Sequence, residues 1–339
     1  MTTASPPPGR AARLHGRRDL RLEPAATPIA GPGEVLLRVL AVGLCGSDRH
    51  WYLDGSIGGT TLDRPLILGH EIAAVIVDGP EAGTRVAVEP SVPCEACPTC
   101  LGGRRELCPT AGFAGHAPTD GGLQTAMAWP RGLLRPLPAS IGDDEAAVLE
   151  ALGIALHAVH LADVDPTARV AVVGCGPIGL LVIRTLRAAG MTDVVASDPL
   201  PHRAAAALDS GAEGLVDGSS AGGGDGGVDV AIECAGEDAA VDRAIDLTRP
   251  GGRVVLVGIP GDDRTTFRAS VARRKGLVLI LCRRMRPDDL ARAIELVDAG
   301  MVEIAPLISH RFGLDEIQKA FAALVDRRGL KVVVHPESA

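Results

Sequence analysis

Aromatic side chains are scarce in this chain: of 339 residues, two are Trp, one is Tyr and four are Phe, 2% of the total. That scarcity excludes a core built on stacked rings. Burial has to come from the small aliphatic residues that dominate the 46% apolar fraction, and aliphatic cores with close backbone approach suit layered α/β architectures. A basic excess is also missing, since 34 Lys and Arg face 42 Asp and Glu and the formal net charge is −8. With no cationic footprint to meet a phosphate backbone, nucleic acid is not an expected partner. The opening residues MTTASPPPGRAARLHG lack the apolar stretch of a secretion signal, and no later apolar run approaches the length that spans a bilayer. The expectation is a cytoplasmic chain with no membrane partner. No self-similar period of solenoid length is visible.

What is present is enough chain for two domains of ordinary size. Between Glu34 and Glu89, short apolar runs such as VLLRVLAVGL and EIAAVIV alternate with Gly, Pro and Asp clusters, a strand-and-turn pattern. After Ile154 strands and helices alternate, with RVAVVG, DVVAS, a weak GLV, VDVAIE, GRVVLVG and GLVLIL as strand candidates for a doubly wound parallel sheet. The run PIGLLVIRTLRAAG reads as the first crossover helix, and GSSAGGGDGG, Gly218 to Gly227, as a surface connection. Past Pro287, the helical stretches DDLARAIELVDAG and LDEIQKAFAALVDRR and the strand LKVVV are expected to return to the first half. The resulting boundaries are 1–152, 153–284 and 285–339.

Directly after RVAVVG stands Gly174-Cys175-Gly176-Pro177-Ile178-Gly179. In a strand-to-helix context this pattern binds dinucleotides: Gly174 turns the chain, Gly176 admits a pyrophosphate to the backbone, and Gly179 lets the helix pack on the strand. Nineteen residues beyond Gly179, Asp198 ends the next strand, where a carboxylate accepts from an adenosine ribose and repels a phosphate there. NAD is therefore expected over NADP, with Arg203 close enough in sequence to soften the discrimination.

Eight cysteines include four in fifteen residues, Cys94, Cys97, Cys100 and Cys108, spaced C-x2-C-x2-C-x7-C in a loop within 90–110. This spacing lets four thiolates converge on one tetrahedral Zn2+, with no position left for substrate, so the metal is read as structural. A second set is dispersed: Cys45 in LCGSDRHWY, His70 and Glu71 in LGHE, and Glu150 in VLEALGIALHAV. One thiolate, one imidazole and one or two carboxylates suit Zn2+ with an open position. Each also reads as an ordinary core or solvated residue. Adjacent residues on a regular strand point to opposite faces, which sets His70 against Glu71 unless Gly69 permits irregular backbone.

Taken together, CGSDRHWYLDGSIG, LGHE, the four-cysteine lobe, GCGPIG, DGGLQTAMAW, IECAG, PGGRVVLVG and PLISHRFGLDEIQKAFAAL resemble the zinc-containing medium-chain dehydrogenases of the alcohol dehydrogenase superfamily. Within it the sorbitol and xylitol dehydrogenase branch is the most similar. The resemblance implies a GroES-like β-rich catalytic domain, a Rossmann coenzyme domain and a C-terminal return segment. It implies a catalytic zinc on Cys45, His70 and Glu71, with Glu150 reaching the metal directly or through water, and a proton relay of Ser47 and His50. It also implies a small-molecule alcohol substrate, NAD, and a dimer or tetramer. Trp51, Tyr52 and Phe113 become candidates for the substrate cleft, and Arg283 for a substrate hydroxyl or cofactor phosphate, although CRRMRPDD departs from the polyol branch.

Overall fold

The chain divides into two units, Met1–Cys97, Cys108–Glu150 and Ile308–Ala339 forming the first, Pro98–Leu107 and Ala151–Leu307 the second. A computed structural model describes residues 9–216, 226–261 and 263–337. The Gly218–Gly227 connection, apart from its last two residues, lies outside the described residues.

The first unit is β-rich. Among the described residues its main sheet has seven strands, ordered Leu134–Pro136, Arg85–Val88, Glu71–Ile76, Glu34–Gly43, Lys331–His335 and Ile308–Gly313, with Ala126–Pro130 also pairing to Glu34–Gly43. Alternation explains the central strand: Val35, Leu37 and Val39 are buried at period two, while Arg38 between them is exposed. Glu71–Ile76 is buried at every position, as a strand covered on both faces must be. Pairing of Val333 with Gly43 brings the end of the chain beside the segment that leads to Cys45.

The second unit carries the doubly wound sheet. Among the described residues its six parallel strands run in the order Gly214–Leu215, Val194–Ser197, Val170–Val173, Val228–Glu233, Thr248–Leu256, Val278–Leu281. Every strand candidate read from the sequence is there, the weak GLV as a two-residue edge. The Pro177–Ala188 helix buries Leu180, Leu181, Ile183 and Leu186, with Pro177 in the first turn, where its missing N–H is harmless.

Two boundaries differ from the sequence reading. The return to the first unit begins at Ile308, not 285, because the Asp289–Asp298 helix buries Leu290, Ala293 and Leu296 and Arg184 donates to the Glu303 carbonyl at 2.9 Å, both within the second unit. The lobe segment Pro98–Leu107 groups with the second unit as well. The expectation that no apolar run nears membrane length needs correcting too, since the 20-residue Asp143–Ala162 helix is long and apolar enough by composition. Its most apolar window is 67% buried inside the protein, the environment of a core helix.

Candidate metal centre

In the first unit, Cys45 precedes the Gly46–Asp54 helix and His70 precedes the Glu71–Ile76 strand. Gly69 has φ +90, and a Cβ there would lie 2.7 Å from the Val42 side chain. That left-handed residue breaks the strand period just before His70, so His70 and Glu71 reach the same side despite being adjacent. Donor atoms of Cys45, His70 and Glu71 all lie within 4.8 Å of one another. Glu150 is not one of the three, although it is buried and its charge acts on His70 and Glu71.

The residues around the three donors test whether a cation fits there. Glu71 is 0% exposed; its Oε1 accepts from Lys331 Nζ at 2.5 Å, while its Oε2 is buried with no hydrogen-bond partner. A buried carboxylate oxygen left bare is costly unless a cation completes it. Asp48, Glu71 and Glu150 bring three carboxyl groups to this region beside a single lysine, and the donor set of thiol, imidazole and carboxyl is one that Zn2+ takes. The residues present therefore fit the metal.

Two of these residues escaped the sequence reading. Asp48 is 0% exposed, accepts from the amides of Cys45 at 2.9 Å and Gly69 at 3.1 Å, and stands 3.8 Å from His70 Nδ1. It clamps the two ligand-bearing segments together and lies at ion-pair distance from the imidazole, where a carboxylate commonly stands behind a metal-bound histidine. Its signal was an acidic residue three positions into a helix, a capping pattern. Lys331, 2% exposed, also donates to the Leu44 carbonyl at 3.0 Å. Its signal was a lone lysine opening the apolar run KVVV, since a lysine is rarely buried without a partner.

The electrostatics follow from burial and charge. Burial pulls the His70 pKa down, but the Cys45 thiol and the charges of Asp48 and Glu150 outweigh it and push it up to about 10. Burial pushes Glu150 up to about 7, and raises Asp48 above the usual carboxylate range. Burial also works against the Lys331 charge, yet Glu71 and Cys45 more than restore it.

Ser47 and His50 lie three residues apart on the Gly46–Asp54 helix, hence on one face; His50 Nδ1 is 3.3 Å from Asp54 Oδ2. Phe113 packs beside His70 with ring centroids 5.3 Å apart. Trp51 is a core residue, 1% exposed and edge-on to His116, and Tyr52 packs on Phe321. Arg283 lines a cavity with His157 and Arg286, all of the second unit.

The sulfurs of Cys94, Cys97, Cys100 and Cys108 likewise lie within 4.8 Å of one another, and all eight cysteines are free thiols. The Cys97 and Cys108 sulfurs are 4.0 Å apart. A Zn2+ tetrahedron with bonds of about 2.3 Å has edges of about 3.8 Å, so the cluster fits. The Cys94 amide donates to Cys108 Sγ at 3.4 Å and is the main reason its thiol is lowered to about 6.

In the second unit, Gly176 caps the Pro177–Ala188 helix, and a Cβ on Gly179 would lie 1.9 Å from the Gly174 carbonyl oxygen. Only glycine allows that approach, which aims the Pro177–Ile178–Gly179 turn at an anion. Asp198 accepts from the Cys175 amide at 2.7 Å and the Leu200 amide at 2.8 Å. The Arg203 guanidinium comes within 3.4 Å of where a Gly176 Cβ would be.

Residues 31–139 match the alcohol dehydrogenase GroES-like domain and residues 177–299 the zinc-binding dehydrogenase domain. Sorbitol dehydrogenase of Bacillus subtilis (strain 168) is 32% identical over 352 aligned residues, covering 99% of both chains. This chain belongs to the zinc-containing medium-chain dehydrogenases. L-idonate 5-dehydrogenase of Vitis vinifera is 33% identical, with 92% of this chain and 90% of that one covered. A zinc-binding dehydrogenase of Sinorhizobium meliloti 1021, solved with NADP bound, superposes with a TM-score of 0.88 at 30% identity, over 97% of this chain and 99% of that one. As a member of this family near its polyol branch, the dehydrogenase is an oxidoreductase that uses zinc and a nicotinamide cofactor.

Proposed function

We propose that this dehydrogenase oxidises a secondary alcohol of a polyol or sugar acid to the ketone with NAD, and holds two zinc ions, one catalytic and one structural. The observation that carries the reading is the gathering of Cys45, His70 and Glu71 donor atoms within 4.8 Å of one another, with one Glu71 oxygen bare and the other taken by Lys331. A zinc ion held there would supply a Lewis acid for an alcohol oxygen. Cys45, His70 and Glu71 hold it; Asp48 orients His70; Glu150, outside the ligand trio, acts through water. Ser47 takes the hydroxyl proton, and His50, one turn along the same helix face, passes it outward. NAD is favoured because the Asp198 carboxylate repels a phosphate on the ribose.

The sorbitol and L-idonate dehydrogenases among the relatives support the substrate class. We place the protein in the cytoplasm, in keeping with its free thiols. A homo-oligomer, dimer or tetramer, is part of the same reading, as the family resemblance implies.

The test is NADH formation across polyols, sugar acids, amino alcohols and cyclitols. Turnover of polyols or sugar acids supports the reading. Exclusive turnover of amino alcohols, or NAD binding without any turnover, overturns it.

A further inference from the structure

The second unit contains a cavity of about 470 Å³ that the dehydrogenase chemistry does not use. Its lining includes Arg104, Glu106, His157, His160, Arg283 and Arg286, every one of them in the second unit. Two kinds of polar group meet in it. Arg104 and Arg283 are exposed and, among the described residues, form no ion pair, whereas Arg286 is held by Asp289 at 2.8 Å. Deeper in, Glu106 is only 7% exposed and its Oε2 is buried without a hydrogen-bond partner. His157 is 5% exposed; its Nδ1 donates to the Arg284 carbonyl at 2.7 Å, which leaves Nε2 as an acceptor.

A buried carboxylate oxygen without a partner is unfavourable in a finished site, so something with a donor hydrogen belongs beside it. Two unpaired guanidinium groups nearby call for an anion, and their planar forks suit phosphate or carboxylate oxygens. We propose that this cavity is a second ligand site for a small hydroxylated anion, its phosphate or carboxylate on Arg104 and Arg283 and its hydroxyls on Glu106 and His157. The stretch CRRMRPDD, which departs from the polyol branch, supplies two of the lining arginines. The inference stands apart from the zinc reading, because it uses none of the residues assigned to the metal, and it takes Arg283, which the resemblance offered to a substrate hydroxyl or cofactor phosphate, for this cavity instead.

The experiment is calorimetric titration of the full-length, zinc-loaded protein with glycerol 3-phosphate, glycerate, inorganic phosphate and glycerol. Saturable binding of glycerol 3-phosphate or glycerate is expected, the better of the two naming the anion, with inorganic phosphate weaker and glycerol silent. The Arg104→Met variant should weaken binding by about tenfold or more while leaving dehydrogenase turnover unchanged. Glu106→Gln, checked for zinc content, should weaken the hydroxylated probes and spare inorganic phosphate. Absence of saturable binding by both hydroxylated anions overturns the proposal, as does equal binding by the Arg104→Met variant. Unchanged binding accompanied by a smaller oligomer would assign the cavity to a second copy of the chain, and would equally overturn it.

Discussion

The two cysteine-bearing clusters are built in opposite ways. The lobe takes four like donors from one fifteen-residue segment and steadies them with nearby backbone amides, such as that of Cys94. The buried centre takes three unlike donors from two elements and surrounds them with Asp48, Glu150 and Lys331, which carry charge. Four thiolates close a tetrahedron; three mixed donors leave a position free. Local, uniform ligation therefore suits a metal that holds a loop, and dispersed, supported ligation suits one that must bind and release substrate.

That contrast is broken most directly by removing a donor from each cluster. Cys45→Ala or His70→Ala should lower kcat/KM by about a thousandfold or more while Tm moves little. Cys100→Ser should do the reverse, destabilising the fold by about 3 kcal/mol or more with kcat of the folded fraction nearly intact. Thermal denaturation and steady-state kinetics on both variants separate the cases. Equal effects on both properties would erase the distinction.

The supporting charges give the next largest effects. Lys331→Met strands the Glu71 carboxylate, and an uncompensated buried charge costs about 3–5 kcal/mol. The loss should be larger in metal-free protein than in zinc-loaded protein, because the metal supplies the missing positive charge; denaturant titration of the two forms decides. Asp48→Asn should weaken zinc by about 10–100-fold in chelator competition, without releasing the lobe zinc.

A smaller effect is one of pH. In metal-free protein the His70 pKa is raised to about 10, above its ordinary value, so the ring is protonated at neutrality. Zinc must displace that proton, so affinity at this centre rises with pH by about tenfold per unit below that value. Zinc competition between roughly pH 6 and 9 should trace this slope, and a flat profile would remove His70 from the ligand set.

Much of the fold was legible because its signals are local. The period-two and period-3.6 patterns after Ile154 mark all six parallel strands, and the turn from Gly174 to Gly179 marks the nucleotide cradle. The cysteine lobe was equally plain, its ligands being close in sequence. What was missed depends on distant partners: Lys331 meets Glu71 across 260 residues, and no window of sequence contains both. Asp48 had a local signal, the capping pattern, which marked a helix start and not its second duty behind His70. The return point shifted to Ile308 because the Asp289–Asp298 helix finds its contacts in the second unit, which its amphipathic pattern alone does not reveal.

Anomalous scattering at the zinc edge, from crystals of fully active protein, decides whether a zinc ion sits among Cys45, His70 and Glu71. The expected map has two peaks per chain, one within the four-cysteine lobe and one within bonding distance of Cys45 Sγ, His70 and the bare Glu71 oxygen. A single peak, confined to the lobe of a protein that still turns over, would contradict it.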